Sequence, residues 1–255
     1  MVDADIIPSS QIVTRPVRGV ALRQYAPTGI ARILAEQAEY LEPETLDWLD
    51  AIPYGATLID IGASSGIYSH YAAAARRAQV FSFEPESQNF NLFQVNNYLN
   101  SKLFKIVPSG FNIAIGASSG IGQIFCAKFG AGFHMKILDK PQRVNEESYF
   151  TPEYTQAVLR ISLDNFVAEY LRRPPNHLKI DVDGAEFEVV SGAAVTLKHP
   201  DLHSIMIELS LKGRQNEPVE TLLTAAGFTA TQRHQVRHAR GGFYDDLVNC
   251  VFERR

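Results

Sequence analysis

Apolar positions along the chain follow two spacings in alternation. From Ile30 to Leu49 they recur at helical intervals, at Ile30, Ile33, Leu34, Leu41, Leu46 and Leu49, and Pro43 divides the stretch into two helices. ATLIDIG (56–62) is a short branched apolar run ending in glycine, which predicts a buried strand. IYSHYAAAARRAQ (67–79) reads as a helix, QVFSFEP (79–85) as a strand stopped by Pro85, and ESQNFNLFQVNNYLN (86–100) as a helix with Phe90, Phe93, Val95 and Leu99 on its apolar side. Segment 103–126 predicts two or three β pieces, and 130–157 a loop-rich excursion containing GAGFH and the charged NEES.

The alternation resumes with ISLDNFVAEYLRR (161–173), a helix capped by Ser162 or Asp164. HLKIDVDG (177–184) predicts a strand, AEFEVVSGAAVTLK a helix, and HSIMIELS (203–210) a strand. EPVETLLTAAG (217–227) is a helix closed by Gly227, and FTATQ with DLVNCVFER forms a terminal β pair. Residues 1–30, with three prolines and little periodicity, predict an irregular arm. Strands alternating with helices imply βαβ units. The expected fold is α/β, a doubly wound, mostly parallel sheet with an antiparallel C-terminal edge. Residues 1–57 would be an arm with helices, serving as a cap or dimer contact, and 58–255 the main domain.

Composition narrows the classes. The 255 residues carry 24 basic and 28 acidic side chains, a net charge of -4, which argues against a protein held to nucleic acid by charge. Only two cysteines, Cys126 and Cys250, are present, without metal-ligand spacing, so buried free thiols are expected. The start lacks a basic n-region and an apolar core, and the uncharged stretch 106–127 is broken by Pro108 and glycines. A cytoplasmic protein without membrane contact is expected.

The heptapeptide IGASSGI occurs twice, at 61–67 and 115–121. The second copy continues to Gly122 and resembles the glycine fingerprint of short-chain dehydrogenases. It is followed by QIFCAKFGAGF rather than a helix, and no Tyr-x-x-x-Lys pair follows it along the chain, so it predicts a turn between strands. The first copy follows a strand and opens a helix. Asp60 lies near the strand end, Gly62-x-x-x-Gly66 turns closely, and Glu84 ends the next strand, 24 residues after Asp60. An acid placed there accepts the hydroxyls of a ribose, so the constellation predicts a nucleoside site. The loop lacks the Gly-Lys-Ser/Thr ending of a triphosphate loop.

Blocks from 58 to 210 resemble one family, the FkbM-type S-adenosylmethionine-dependent methyltransferases: LIDIGASSGIYS, FSFEPESQNFNLFQVNNYLN, FNIAIGASSG, ISLDNF, LKIDVDGAEFEVVSGA and IMIELS. The resemblance implies a Rossmann-like class I methyltransferase fold. It further implies S-adenosylmethionine as cofactor and methyl transfer to a hydroxyl of a sugar, polyketide, glycan or related metabolite. By the same resemblance Asp60, Gly62, Ser64, Gly66 and Tyr68 would surround the methionine portion, Glu84 would hold the ribose, and Asn112 and Ala114 would edge the adenine. Two positions depart from the family pattern: Ser64 stands where Asn is usual, and Asp183 where Glu is usual.

Candidate catalytic residues lie in HLKIDVDGAE. On a strand Lys179, Asp181 and Asp183 would share one side, and Glu186 would sit in the first turn of the next helix. Methyl transfer is an in-line displacement that requires removal of a hydroxyl proton. Asp181 is expected nearest the reacting centre, also touching the cofactor, with Lys179 pairing an acid. The acids could instead hold Mg²⁺ or form a salt-bridged support. Alternatives to metabolite methylation are an RNA methyltransferase, which the -4 charge disfavours, and a non-catalytic cofactor-binding module. The stretch QRHQVRHARGG (232–242) reads as a solvated connection, or as a contact for an anionic substrate.

Overall fold

Thr57–Ile61 forms β3, an interior strand of a seven-stranded sheet, and Leu58, Ile59, Asp60 and Ile61 on it are all buried. A computed structural model describes residues 7–142, 149–213 and 216–254. The chain runs from β1 (Ile12–Val17) and β2 (Val20–Tyr25) to α1 (Gly29–Leu41) and α2 (Pro43–Ala51), then β3. It continues through α3 (Ile67–Arg76), β4 (Gln79–Phe83), α4 (Ser87–Ser101), β5 (Ser109–Phe111), β6 (Ala114–Gly116) and β7 (Gly120–Cys126). Then come β8 (Lys136–Leu138), β9 (Tyr154–Ser162), α5 (Leu163–Tyr170), β10 (His177–Ile180), α6 (Glu186–Ser191), β11 (Ser204–Ser210), α7 (Asn216–Ala225), β12 (Phe228–Arg237) and β13 (Phe243–Arg254).

The large sheet has the order β12-β13-β11-β10-β3-β4-β5. β3 pairs parallel with β4 on one side and β10 on the other, so the winding reverses between β3 and β10. In open α/β sheets ligands bind beyond the carboxyl ends at that reversal. β13 runs antiparallel to both β11 and β12, so the reversed strand lies one place in from the edge.

Each face of this sheet is covered by its own apolar layer. Ile59, Ile61, Leu178, Ile205 and Ile207 pack with Leu163 and Phe166 of α5, Val189 of α6 and Leu223 of α7. Leu58, Val80, Met206 and Val251 pack on the other side with Leu46, Trp48 and Leu49 of α2 and Ala72 of α3. Burial on both faces is why these strands read as continuous apolar runs. Trp48 also donates Nε1–H to Ser204 Oγ at 2.9 Å, so it is a core residue of α2.

Where an irregular arm was expected, residues 12–25 form a hairpin. Arg18 and Gly19 both adopt positive φ, 47° and 83°, between the paired Val17 and Val20. That is the primed two-residue turn whose twist suits paired strands. Val17 and Leu22 join the α2–α3 layer. Arg18 binds Asp47 and Asp50, each at 2.6 Å, and so ties the turn to α2.

Other sequence expectations are corrected by packing. The 130–157 excursion contains β8 and the start of β9, part of a second sheet ordered β6-β9-β7-β8; its NEES stretch lies outside the described residues. The 161–173 helix begins at Leu163, and Ser162 caps it by accepting Asn165 N–H at 3.2 Å. The 177–184 strand stops at Ile180, so Lys179 alone of the three alternating residues is on a strand. The 185–198 helix stops at Ser191, and Gly192, its C-cap, lies against Gly116, with a Cβ position only 2.1 Å from the Gly116 carbonyl oxygen. Residues 232–237 belong to β12 rather than to a connection.

Candidate functional site

The glycine loop after β3 is held by contacts that only its backbone permits. Gly62, Ser64 and Gly66 have φ of 85°, 49° and 77°, in the left-handed region that favours glycine. A Cβ on Gly62 would stand 1.8 Å from the Asp181 carbonyl oxygen, so this glycine lets the ends of β3 and β10 meet. Gly66 faces the rings of Phe93 and His70. The second IGASSGI has no left-handed residue; it ends β6, turns, and opens β7. The same seven residues thus take two shapes because the first is fed into a helix and the second into a strand.

Glu84 joins the loop to the next unit. Its Oε2 accepts Ser64 N–H at 2.9 Å and its Oε1 accepts Glu86 N–H at 3.0 Å. Burial pushes its carboxyl up to about 7, against the pull of the Glu86 amide, Lys136 and the Ser64 amide. Asp60 is only 2% exposed; Oδ2 accepts the Ser69 hydroxyl at 2.5 Å, and Oδ1 has no partner among the described residues. Burial raises Asp60, partly offset by Lys179 and Ser69. An orphaned, buried carboxylate oxygen is costly unless a ligand satisfies it.

Lys179 stands in register with Asp60 and donates to Asp181 Oδ2 at 2.6 Å. Its ammonium lies 5.6 Å from the centre of the Tyr68 ring. Burial alone would lower Lys179, but the field of Asp181, Glu42 and Asp60 outweighs it and raises the group. Asp183 Oδ2 accepts Lys136 N–H at 2.9 Å, and the Lys136 ammonium pairs with Glu86. Glu186 Oε1 accepts Gly184 N–H at 3.2 Å, and burial pushes this carboxyl up to about 8.

These groups line a cavity of about 540 Å³. Asp60, Gly62, Ser64, Tyr68, Glu84, Ala114, Lys179, Asp181, Asp183 and Glu186 all reach it. Gly66 and Asn112 do not; Gly66 shapes the loop, and Asn112 donates to the Glu84 and Pro85 carbonyls, both at 2.9 Å. Sequence reasoning missed Glu42, His134, Lys136 and Tyr244, and reached Arg237 only through the alternative reading of 232–242 as a substrate contact; all five line the cavity. They arrive from the α1–α2 junction, the GAGFHMK excursion and the β12–β13 pair, which only tertiary packing brings together. The break at Pro43 was the one available signal for Glu42.

Seven carboxylates and three permanent cations line the cavity, and each cation already faces an acid: Lys136 with Glu86, Lys179 with Asp181, Arg237 with Glu44 at 3.6 Å. Such a surplus, with the orphaned Asp60 oxygen, fits a ligand carrying hydroxyls, an ammonium and a sulfonium. Among the described residues no group of three or more His, Cys, Asp or Glu is arranged to hold a metal ion, so Mg²⁺ finds no built site.

The strand order, the glycine loop at the winding reversal and the acid ending the next strand define a Rossmann-like S-adenosylmethionine-dependent methyltransferase of class I. The fold matches solved structures at low identity. One is the magnesium protoporphyrin IX methyltransferase (ChlM) of Synechocystis PCC 6803 with bound SAM, at TM-score 0.52, 11% identity, and 89% of this chain against 85% of that one. Another is the SAM-dependent methyltransferase of Agrobacterium tumefaciens, at TM-score 0.52, 10% identity, and 96% against 71%. No curated protein sequence matches the chain. The model of the methyltransferase FkbM domain matches residues 60–230, and the chain belongs to that family. No helix among the described residues is long and apolar enough to cross a membrane.

Proposed function

We propose that the protein methylates a hydroxyl of a sugar, polyketide, glycan or related small metabolite. The observation that carries this reading is the cavity itself: it is rich in carboxylates, and its cations are already paired. Carboxylates accept hydrogen bonds from hydroxyls, whereas a phosphate-bearing polymer such as RNA would need unpaired cations. The buried free thiols of Cys126 and Cys250 suit a reducing cytoplasm.

Bound S-adenosylmethionine would supply an electrophilic methyl on a sulfonium. Asp60, Gly62, Ser64 and Tyr68 would hold its methionine portion, Glu84 its ribose and Ala114 the edge of its adenine. Asn112 supports that edge by fixing the Glu84–Pro85 backbone, and Gly66 by turning the loop. Asp181, held by Lys179, would stand nearest the reacting centre, with Asp183 and Glu186 bracing the turn beside it.

A screen of hydroxylated sugars and metabolites, read as S-adenosylhomocysteine formation, tests the reading. Turnover with at least one such compound is expected. Binding of S-adenosylmethionine with turnover only on RNA would sink it.

A further inference from the structure

We propose that Glu208 is the general base that takes the proton from the acceptor hydroxyl. The inference rests on the O-methyl reading above and goes beyond it by naming the proton acceptor.

Register places this side chain. Asp60, Lys179, Met206 and Val251 are paired in one row across β3, β10, β11 and β13. Side chains two residues further along a strand return to the same face. Glu208 therefore follows Met206 on that face of β11 and is paired with Asn249, while Asp181 lies one residue past β10 with its N–H bonded to the Ile61 carbonyl at 2.9 Å. The last parallel pair is Ile180 with Ile207, and Asp181 and Glu208 are the next residues of their two segments at the carboxyl edge. Both line the cavity.

Each of the other cavity acids has at least one oxygen tied to a protein donor. Asp60 accepts from Ser69, Glu84 from two amides, and Glu42 from Thr45 Oγ1 at 2.7 Å. Asp181 accepts from Lys179, Asp183 from the Lys136 amide and Glu186 from the Gly184 amide. Among the described residues none donates to Glu208, and its side chain lines the cavity. His134 also reaches the cavity but stands on an exposed loop. A general base must have a free oxygen or nitrogen within hydrogen-bond reach of the proton it removes.

The step balances. The hydroxyl oxygen uses a lone pair to bond the methyl carbon while its O–H proton passes to a Glu208 oxygen. The carbon–sulfur bond breaks and its electron pair stays on sulfur, leaving a neutral thioether; Glu208 later loses the proton to water.

The ligand-free state prepares this role. Burial raises Glu208 well above the usual carboxylate range, with Asp181, Glu42, Glu186 and Asp183 adding to it. Lys179 is engaged by Asp181, Arg237 faces Glu44, and Tyr244 is the remaining titratable cavity neighbour from β13. A sulfonium bound in the cavity would supply positive charge that favours the ionised form of Glu208.

Two measurements test this on Glu208→Gln, which keeps the side chain's size. Calorimetry in two buffers of different ionisation enthalpy compares S-adenosylmethionine with S-adenosylhomocysteine, which lacks the positive sulfur. Wild type should release more protons with the former, and the variant should lose most of that difference while binding S-adenosylmethionine within about threefold of wild type. With an acceptor from the screen, transfer in Glu208→Gln should fall at least about 100-fold, within the usual range for loss of a general base. His134→Gln should stay within about threefold of wild type. An unchanged proton difference, near-normal transfer by Glu208→Gln, or loss of transfer in His134→Gln with Glu208→Gln active would overturn the inference alone. Wild type that binds S-adenosylmethionine yet methylates no hydroxyl overturns the O-methyl reading and this inference with it.

Discussion

Asn100 holds both backbone groups of Arg23. Its Oδ1 accepts Arg23 N–H at 3.0 Å and its Nδ2 donates to the Arg23 carbonyl at 2.7 Å. One turn earlier Asn96 Oδ1 accepts Tyr25 N–H at 2.6 Å, while Asn96 Nδ2 donates to the Ser65 carbonyl at 2.8 Å. The outer edge of β2 is thus paired by side chains of α4 instead of another strand, and the hairpin reaches the glycine loop through one amide. Asn100→Leu leaves two backbone groups without partners. It should destabilise the protein by about 2–3 kcal/mol, measured by urea unfolding, since each stranded group costs roughly 1–3 kcal/mol.

Glu84→Gln replaces one of two accepting oxygens with a donor that faces the Ser64 or Glu86 amide. S-adenosylmethionine affinity should fall about 10–100-fold, or roughly 1.4–2.8 kcal/mol, by calorimetry. Unchanged affinity would remove Glu84 from the cofactor site.

Gly62→Ala drives a methyl into the Asp181 carbonyl and burdens a left-handed residue. A loss of about 3 kcal/mol or more in unfolding free energy is expected. Gly120→Ala, from the other heptapeptide, meets nothing nearer than 3.9 Å at ordinary φ and should leave the melting temperature nearly unchanged.

Glu186 at about 8 and Glu84 at about 7 hold protons in the fold that the unfolded chain, near pKa 4.3, releases. Their contribution to stability is complete below about pH 4.3 and is lost as pH rises through 7 and 8. The ligand-free protein should therefore melt higher at about pH 6 than at about pH 8. Glu186→Gln should reduce that slope by up to about 1.4 kcal/mol per pH unit.

The central sheet was legible because strands buried on both faces carry unbroken apolar runs, as in TLIDI and SIMIELS. The hairpin was not: Thr14, Arg15 and Pro16 of β1 are exposed, and its partner on the far edge is a helix's amides. β9 was hidden for a similar reason, since Thr155, Ala157 and Leu159 face outward and weaken the apolar signal. Asp60 and Glu84 could be found because each lies at or near a strand end, where local pattern and site geometry coincide. Glu42 and His134 could not, because nothing within their own segments says which cavity they meet.

The cavity wall is also divided along the gene. Asp60 to Glu208 lie within residues 60–230, the span shared with the family, whereas Leu34, Leu41 and Glu42 precede it and Val236, Arg237, Tyr244 and Leu247 follow it. Exchange of the two terminal segments can therefore alter one wall of the chamber while the inherited centre is left untouched.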